Sequence, residues 1–285
     1  MTRSDHTIWI TSIIRDFCDG PQNSLQNGTD ERAWDTPLVG FANGVDPIFA
    51  QFKTAVGDFH WTPAEIFAQT FPDLAFIPEE LTVIVYVLPQ TEATKRDQRA
   101  QTVYPAERWA RTRFFGERFN RALRDHVAAT LNAAGYPAVA PSSAPHFEIH
   151  DSEQYTFAST WSERHAAYAA GLGTFGLSDG LITPVGKAHR LGSVVARISI
   201  PATARLYTDH HAYCPWYTHR ACGRCIQRCP VGALSATGHD KIKCRNHLDR
   251  TRPHILENYG FAGYACGLCQ VGVPCESGIP DVNLL

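Results

Sequence analysis

Eight of the nine cysteines in this 285-residue sequence fall between Cys214 and Cys275. They run Cys214-x7-Cys222-x2-Cys225-x3-Cys229-Pro230, then Cys244, then Cys266-x2-Cys269-x5-Cys275. An x2 spacing lets two thiolates approach one metal-sulfur core from a tight turn. An x3 spacing followed by proline turns the chain towards a second core, because proline cannot continue the preceding hydrogen bonding. The run CGRCIQRCP keeps the latter two-thirds of the C-x2-C-x2-C-x3-C-P pattern of bacterial two-cluster ferredoxins, and eight thiolates match two four-ligand cubanes with none left over. The spacing therefore predicts two 4Fe-4S clusters and electron transfer. It assigns Cys214, Cys222, Cys225 and Cys275 to one cluster and Cys229, Cys244, Cys266 and Cys269 to the other.

The first ligand departs from the ferredoxin pattern, since His219 stands three residues before Cys222. Cys214 reaches the site only if residues 215–221 loop out, and His219 is the alternative ligand. Two C-x2-C pairs would also suit a structural zinc, but that leaves four cysteines without a role. A disulfide framework needs an oxidising compartment. Cys18, alone on an apolar helix face, reads as a small buried hydrophobe.

Upstream, Gly171-Leu-Gly173-Thr-Phe-Gly176 satisfies G-x-G-x-x-G, yet the residues before it look helical and no acid follows at the distance a dinucleotide site requires. The nearest titratable side chains are Glu163, His165 and Tyr168 on the short helix before the loop. They are the candidates for acid-base work, His165 first because it exchanges a proton near neutral pH.

These groups need elements to hold them. Leu81–Leu88 is a β-branched run between prolines and reads as a buried strand. From Ala106 to Ala134, Phe115, Phe119, Leu123, Val127 and Leu131 recur every four residues, the pattern of one long amphipathic helix stopped by Gly135 and Pro137. Short extended pieces near 137–140 and 147–149, a helix over 162–170 and a strand over 192–200 follow, whereas the stretch through about Asp58 holds an apolar helix candidate at Ile8–Phe17 and otherwise reads as irregular surface leading into a helix. Near residue 205 glycine, cysteine, histidine and arginine rise and periodicity fades, which sets a boundary between domains 1–205 and 206–285. Lys and Arg number 26 against 28 Asp and Glu, so bulk charge does not mark a nucleic-acid binder. No export signal or membrane-spanning run is read, and the expected location is the cytoplasm, with no membrane partner.

The segment STWSERHAAYAAGLGTFGLSDGLITPVGKAHRLGSVVARISI, followed by the cysteine run and CGLCQVGVPCE, resembles the epoxyqueuosine reductase and reductive dehalogenase group, in which ER-x-x-A-x-x-AGLG-x-x-G precedes two 4Fe-4S clusters. The resemblance covers roughly 157–275. It implies an α+β fold, with a nitroreductase-like α/β domain followed by a small ferredoxin-like domain with two 4Fe-4S clusters. It also implies cobalamin beside the nearer cluster, with Gly171, Gly173, Thr174, Phe175, Gly176 and Ser178 around the corrinoid, where the absence of a Cβ admits a flat macrocycle. The expected function is an oxidoreductase that takes electrons from an external donor (a ferredoxin, flavodoxin or reductase) and reduces a small organic substrate. The alternative is an electron-transfer protein or reductase subunit serving a partner protein. Three departures mark this sequence. Phe157 stands where the reductases carry an aspartate proton donor, Leu177 replaces the loop lysine, and the sequence stops at Leu285 where those reductases continue into a tRNA-holding repeat region. Epoxyqueuosine is therefore not the expected substrate, nor nucleic acid an expected partner.

Overall fold

The structure is a computed structural model that describes residues 2–153 and 155–284. The chain opens with helix α1 (Arg3–Asp19), whose first turn is held by a capping box between Thr2 and Asp5. Strand β1 (Leu38–Asn43) follows, then α2 (Ile48–Val56) and α3 (Pro63–Thr70). Proline at the first position and a Thr62–Glu65 capping box fix the start of α3. Strand β2 (Leu81–Pro89) leads to α4 (Glu92–Arg99), α5 (Glu107–Arg111) and α6 (Glu117–Ala133), the last two joined by a π turn over Thr112–Gly116. Next come β3 (Ala138–Val139), the hairpin β4 (Ile149–Ser152) and β5 (Thr156–Ser159), helix α7 (Glu163–Ala169), the small pair β6 (Thr174–Phe175) and β7 (Leu181–Ile182), and the long strand β8 (His189–Arg197).

One four-stranded sheet in the order β1-β2-β8-β3 organises this half, and every neighbouring pair is antiparallel. The fold is thus mixed α and β, as the sequence predicts. All nine residues of β2 are buried. Val83, Val85 and Val87 face Phe49, Phe52, Phe67 and the alanines of α7. Ile84, Tyr86 and Leu88 face α1 and α6 through Ile10, Ile14, Leu123 and Val127. Helices on both faces explain why the strand is apolar throughout instead of alternating, and each such side chain contributes about 1.5–3 kcal/mol relative to exposure.

Two expectations are corrected. The stretch before Asp58 is not irregular, because residues 38–43 form the edge strand β1. The helix from Ala106 to Ala134 is helical throughout but not regular. Its π turn ends where Gly116 meets the Trp34 ring, and the Trp34 indole donates to the Gly116 carbonyl at 3.1 Å. A Cβ on Gly116 would lie 2.9 Å from that ring.

Beyond the sheet lie α8 (Pro215–His219), α9 (Arg224–Gln227), the pair β9 (Leu234–Ser235) and β10 (Gly238–His239), and α10 (Lys241–Tyr259). They pack directly on the first half, with Ile255, Ala265 and Val271 against Trp109, Ala110 and Ala188. The last turns are stitched to the segment before β8: the Lys187 amide donates to the Cys275 carbonyl at 2.9 Å and the Ala188 amide to that of Glu276 at 3.3 Å. The buried Glu276 carboxylate accepts from Arg99 at 2.8 Å and from the Gly272 amide at 2.7 Å. Among the described residues no helix is long and apolar enough to cross a membrane.

Candidate functional site

Four cysteines from three parts of the chain, Cys214, Cys222, Cys225 and Cys275, line one cavity with Leu177 and Lys187. Residues 215–221 loop out by folding into α8, which closes when the Ala221 amide donates to the Pro215 carbonyl at 3.1 Å. That turn carries Cys214 and Cys222 to the same wall. His219 instead lies exposed at the end of α8, its ring bonded to the Thr218 hydroxyl at 2.7 Å. Cys222 and Gly223 both have left-handed backbones, with φ of 80° and 94°. For a cysteine this conformation is sparsely populated and costs of order 1–3 kcal/mol, so tertiary contacts must hold it.

The other four cysteines gather nearby. Cys229 accepts an N–H from Ala233 at 3.2 Å, and Cys244 occupies the first turn of α10. Cys266 and Cys269 flank Gly267, whose φ is 69° and whose missing Cβ leaves room for Trp109. Burial, with the neighbouring Cys244 adding to it, pushes the Cys266 thiol up to about 11 and the Cys269 thiol up to about 12. Such thiols shed their protons only to a strong Lewis acid, so iron or another soft metal would displace protons here. Among the described residues, no three His, Cys, Asp or Glu side chains close on a single-ion site.

Lys187 was not foreseen. Its side chain is 3% exposed and donates to the Ser178 hydroxyl at 3.1 Å. Burial works to remove its proton, but Cys275, Cys269, Cys225 and Cys214 outweigh burial and hold its pKa above the ordinary lysine value. A buried ammonium with one neutral partner needs an anion beside it. Cavity sulfurs that gave up their protons to a bound metal would supply that charge. This lysine lies ten residues after Leu177, and nothing in a lone GKA tripeptide announces it.

The glycine loop forms the roof of the cavity through Gly176 and Leu177. Its glycines are required by the chain itself. A Cβ on Gly173 would lie 2.2 Å from the Ile182 carbonyl, and one on Gly171, at φ 72°, 2.7 Å from that of Ala204. Thr174 is fully buried and accepts from the Tyr213 amide at 2.9 Å, while Ser178 is occupied by Lys187. Only Phe175 of the six expected cofactor residues offers a partly open side chain. Next along the loop, Asp179 accepts from His239 Nδ1 at 2.8 Å. That bond, then the Cys244 sulfur, lifts the His239 pKa to about 9 and ties the loop to the second cysteine group.

The three candidate acid-base residues diverge. Glu163 is half-buried and accepts from the Ser142 hydroxyl at 2.6 Å and from the Ser193 hydroxyl, which in turn receives the Trp161 indole at 2.9 Å. Burial raises its pKa against the pull of Arg124, and the network fastens α7 to β8. Arg164 does not pair with it and donates to the Asp179 carbonyl at 2.6 Å. His165 sits among Phe52, Phe175 and His60, with ring centroids 4.7, 5.0 and 5.6 Å away. Burial pushes its pKa down to about 3, so the ring is neutral at pH 7. Tyr168 lines a second cavity, about 310 Å³, with Asp46, Gln51 and Arg205. Phe157, where an aspartate would stand, lies with Lys241 and Arg245 over its ring at 5.3 and 5.6 Å.

The chain is similar in sequence to epoxyqueuosine reductases, and its fold is similar to theirs and to that of a reductive dehalogenase, in line with the resemblance read from the sequence. The epoxyqueuosine reductase of Bacillus anthracis is 29% identical over 128 residues, which cover 43% of this chain and 31% of that protein. The chain thus matches less than a third of the length of that curated relative. A selenomethionine-labelled epoxyqueuosine reductase superposes with a TM-score of 0.53 at 14% identity, covering 99% of this chain and 71% of the other. A catabolic reductive dehalogenase in complex with 3-bromo-4-hydroxybenzoic acid gives 0.51 at 14% identity, covering 96% and 37%. No family model matches the chain.

Proposed function

We propose that this chain is an iron-sulfur oxidoreductase. In this reading Cys214, Cys222, Cys225 and Cys275 hold one 4Fe-4S cluster and Cys229, Cys244, Cys266 and Cys269 a second, in a ferredoxin-like unit that follows the sheet domain. The observation that carries it is the convergence of four cysteines and a buried lysine on one cavity roofed by the glycine loop. The donor set fits the group: all-sulfur, raised thiols, a compensating cation and an N–H aimed at Cys229. Clusters bound there would supply one-electron transfer. The protein's part is to hold them, shield them with Trp216 and Tyr217, and set their potential through charge and hydrogen bonds.

The electrons leave towards an acceptor near α7 and the glycine loop. Cobalamin is the acceptor the resemblance supplies. Gly171, Gly173, Thr174 and Ser178 spend their contacts within the chain, so the loop offers no open cradle for a corrinoid, and the proposal stands on the cysteines. An external ferredoxin, flavodoxin or reductase in the cytoplasm would donate, and a small organic molecule would be reduced. Anaerobic purification tests this: about eight irons per chain with broad absorbance near 400 nm is expected. Zinc without iron refutes it. Added cobalamin that co-elutes would extend the reading to a corrinoid.

One observation favours the second reading, an electron-transfer subunit without substrate chemistry. Phe157 cannot donate a proton and His165 is held neutral by burial, so neither of these two positions supplies an acid. Reduction of a partner protein by a chain that binds no corrinoid would decide for it.

A further inference from the structure

Lys187 lines the cavity of Cys214, Cys222, Cys225 and Cys275. Among the described residues its side chain donates to the Ser178 hydroxyl at 3.1 Å and pairs with no carboxylate. Its backbone is held twice over: its own amide is bonded to the Cys275 carbonyl at 2.9 Å, and the following amide to that of Glu276. Gly186, at φ 83°, lets the chain pass so close that a Cβ there would meet the Glu276 carbonyl at 2.1 Å. The ammonium is therefore a fixed charge in a place that water cannot screen, where a unit charge acts far more strongly than at a surface.

We propose that Lys187 sets the reduction potential of the cluster bound by Cys214, Cys222, Cys225 and Cys275, by holding a permanent positive charge against it. This rests on the cluster reading above. A 4Fe-4S core with four thiolates gains one electron on reduction and becomes more negative by one unit. A neighbouring cation favours the reduced form, so its removal makes reduction harder. Lys187 thereby positions charge and takes no part in bond making. Ser178 aims the ammonium and joins this charge to the glycine loop, so that the loop and the potential are mechanically linked.

The test is an EPR-monitored redox titration with dithionite of the anaerobically purified full chain, for the parent, Lys187→Met and Lys187→Arg, with iron counted in each. Lys187→Met should keep its iron and lower one of the two one-electron steps by at least tenfold in the reduction equilibrium constant, about 59 mV. Lys187→Arg, which keeps the charge, should stay near the parent. Loss of iron from Lys187→Met with retention in Lys187→Arg would support the same charge role. Unchanged potentials in an iron-replete Lys187→Met overturn the inference, as do equal shifts or equal iron loss in both variants, which would mean packing. A parent chain with no iron fails the cluster reading itself and is distinguishable from all of these.

Discussion

Acidification should weaken this fold through His165 in a way one substitution abolishes. The ring is enclosed by Phe52, Phe175 and His60, and burial pushes its pKa down to about 3. The unfolded chain holds this histidine near 6.5. A depressed folded pKa contributes stability that is present above the unfolded value and is lost as pH falls towards the folded one. Between pH 7 and pH 5 the loss from this one residue is about 2 kcal/mol, at 1.36 kcal/mol per unit once below 6.5. His165→Phe keeps the aromatic contacts and removes the titration. It should be less stable than the parent at pH 7, because the bond to Ser162 at 2.8 Å is gone, but should lose about 2 kcal/mol less on going to pH 5. Thermal unfolding followed by tryptophan fluorescence under anaerobic conditions reads the difference as roughly 4–8 °C in the parent-minus-variant change in Tm. Parallel pH profiles for the two proteins would refute the reasoning.

Cys225→Ala should remove about four of about eight irons, while Cys18→Ala, whose thiol is buried far from the site, should leave the iron count intact and cost only stability. Gly173→Ala should destabilise by about 3 kcal/mol or prevent folding, since its methyl would sit 2.2 Å from a carbonyl oxygen; a denaturation midpoint equal to the parent's would contradict the packing described. Glu163→Ala leaves the Ser142 and Ser193 hydroxyls without their acceptor and Arg124 without a neighbouring anion, and should cost about 2–4 kcal/mol by urea titration, with iron retained. A stability-neutral Glu163→Ala would show that the network fastening α7 to β8 carries no weight.

The cysteine pattern is local: each x2 or x3 step is a turn written in consecutive residues. Leu81–Pro89 was legible in the sequence, being apolar on both faces and buried on both. What the sequence hid depends on distant partners. Residues 38–43 carry Gly40 and Asn43 and look like loop, yet Gly40 is there because Leu172 fills the space a Cβ would take. The π turn in the long helix is set by Trp34, 82 positions from Gly116, and leaves the four-residue period undisturbed. Glu163 was read as an acid-base candidate and becomes an anchor only through Ser193 on β8. Lys187 acquires meaning only once Cys275 closes over it.

The cavity has a consequence for biogenesis. Its roof comes from residues 176–187, its walls from 214–225 and its last sulfur from Cys275, which the Lys187 amide grips from the opposite side. As a ribosome emits the chain, β8 can zip onto β2 and complete the sheet long before Cys275 appears, because N-terminal units order first during synthesis. In the cluster reading, an assembly factor carrying iron and sulfide would therefore meet a finished sheet beside an open vessel with three of its four sulfurs in place. Only the arrival of the final turns seals it.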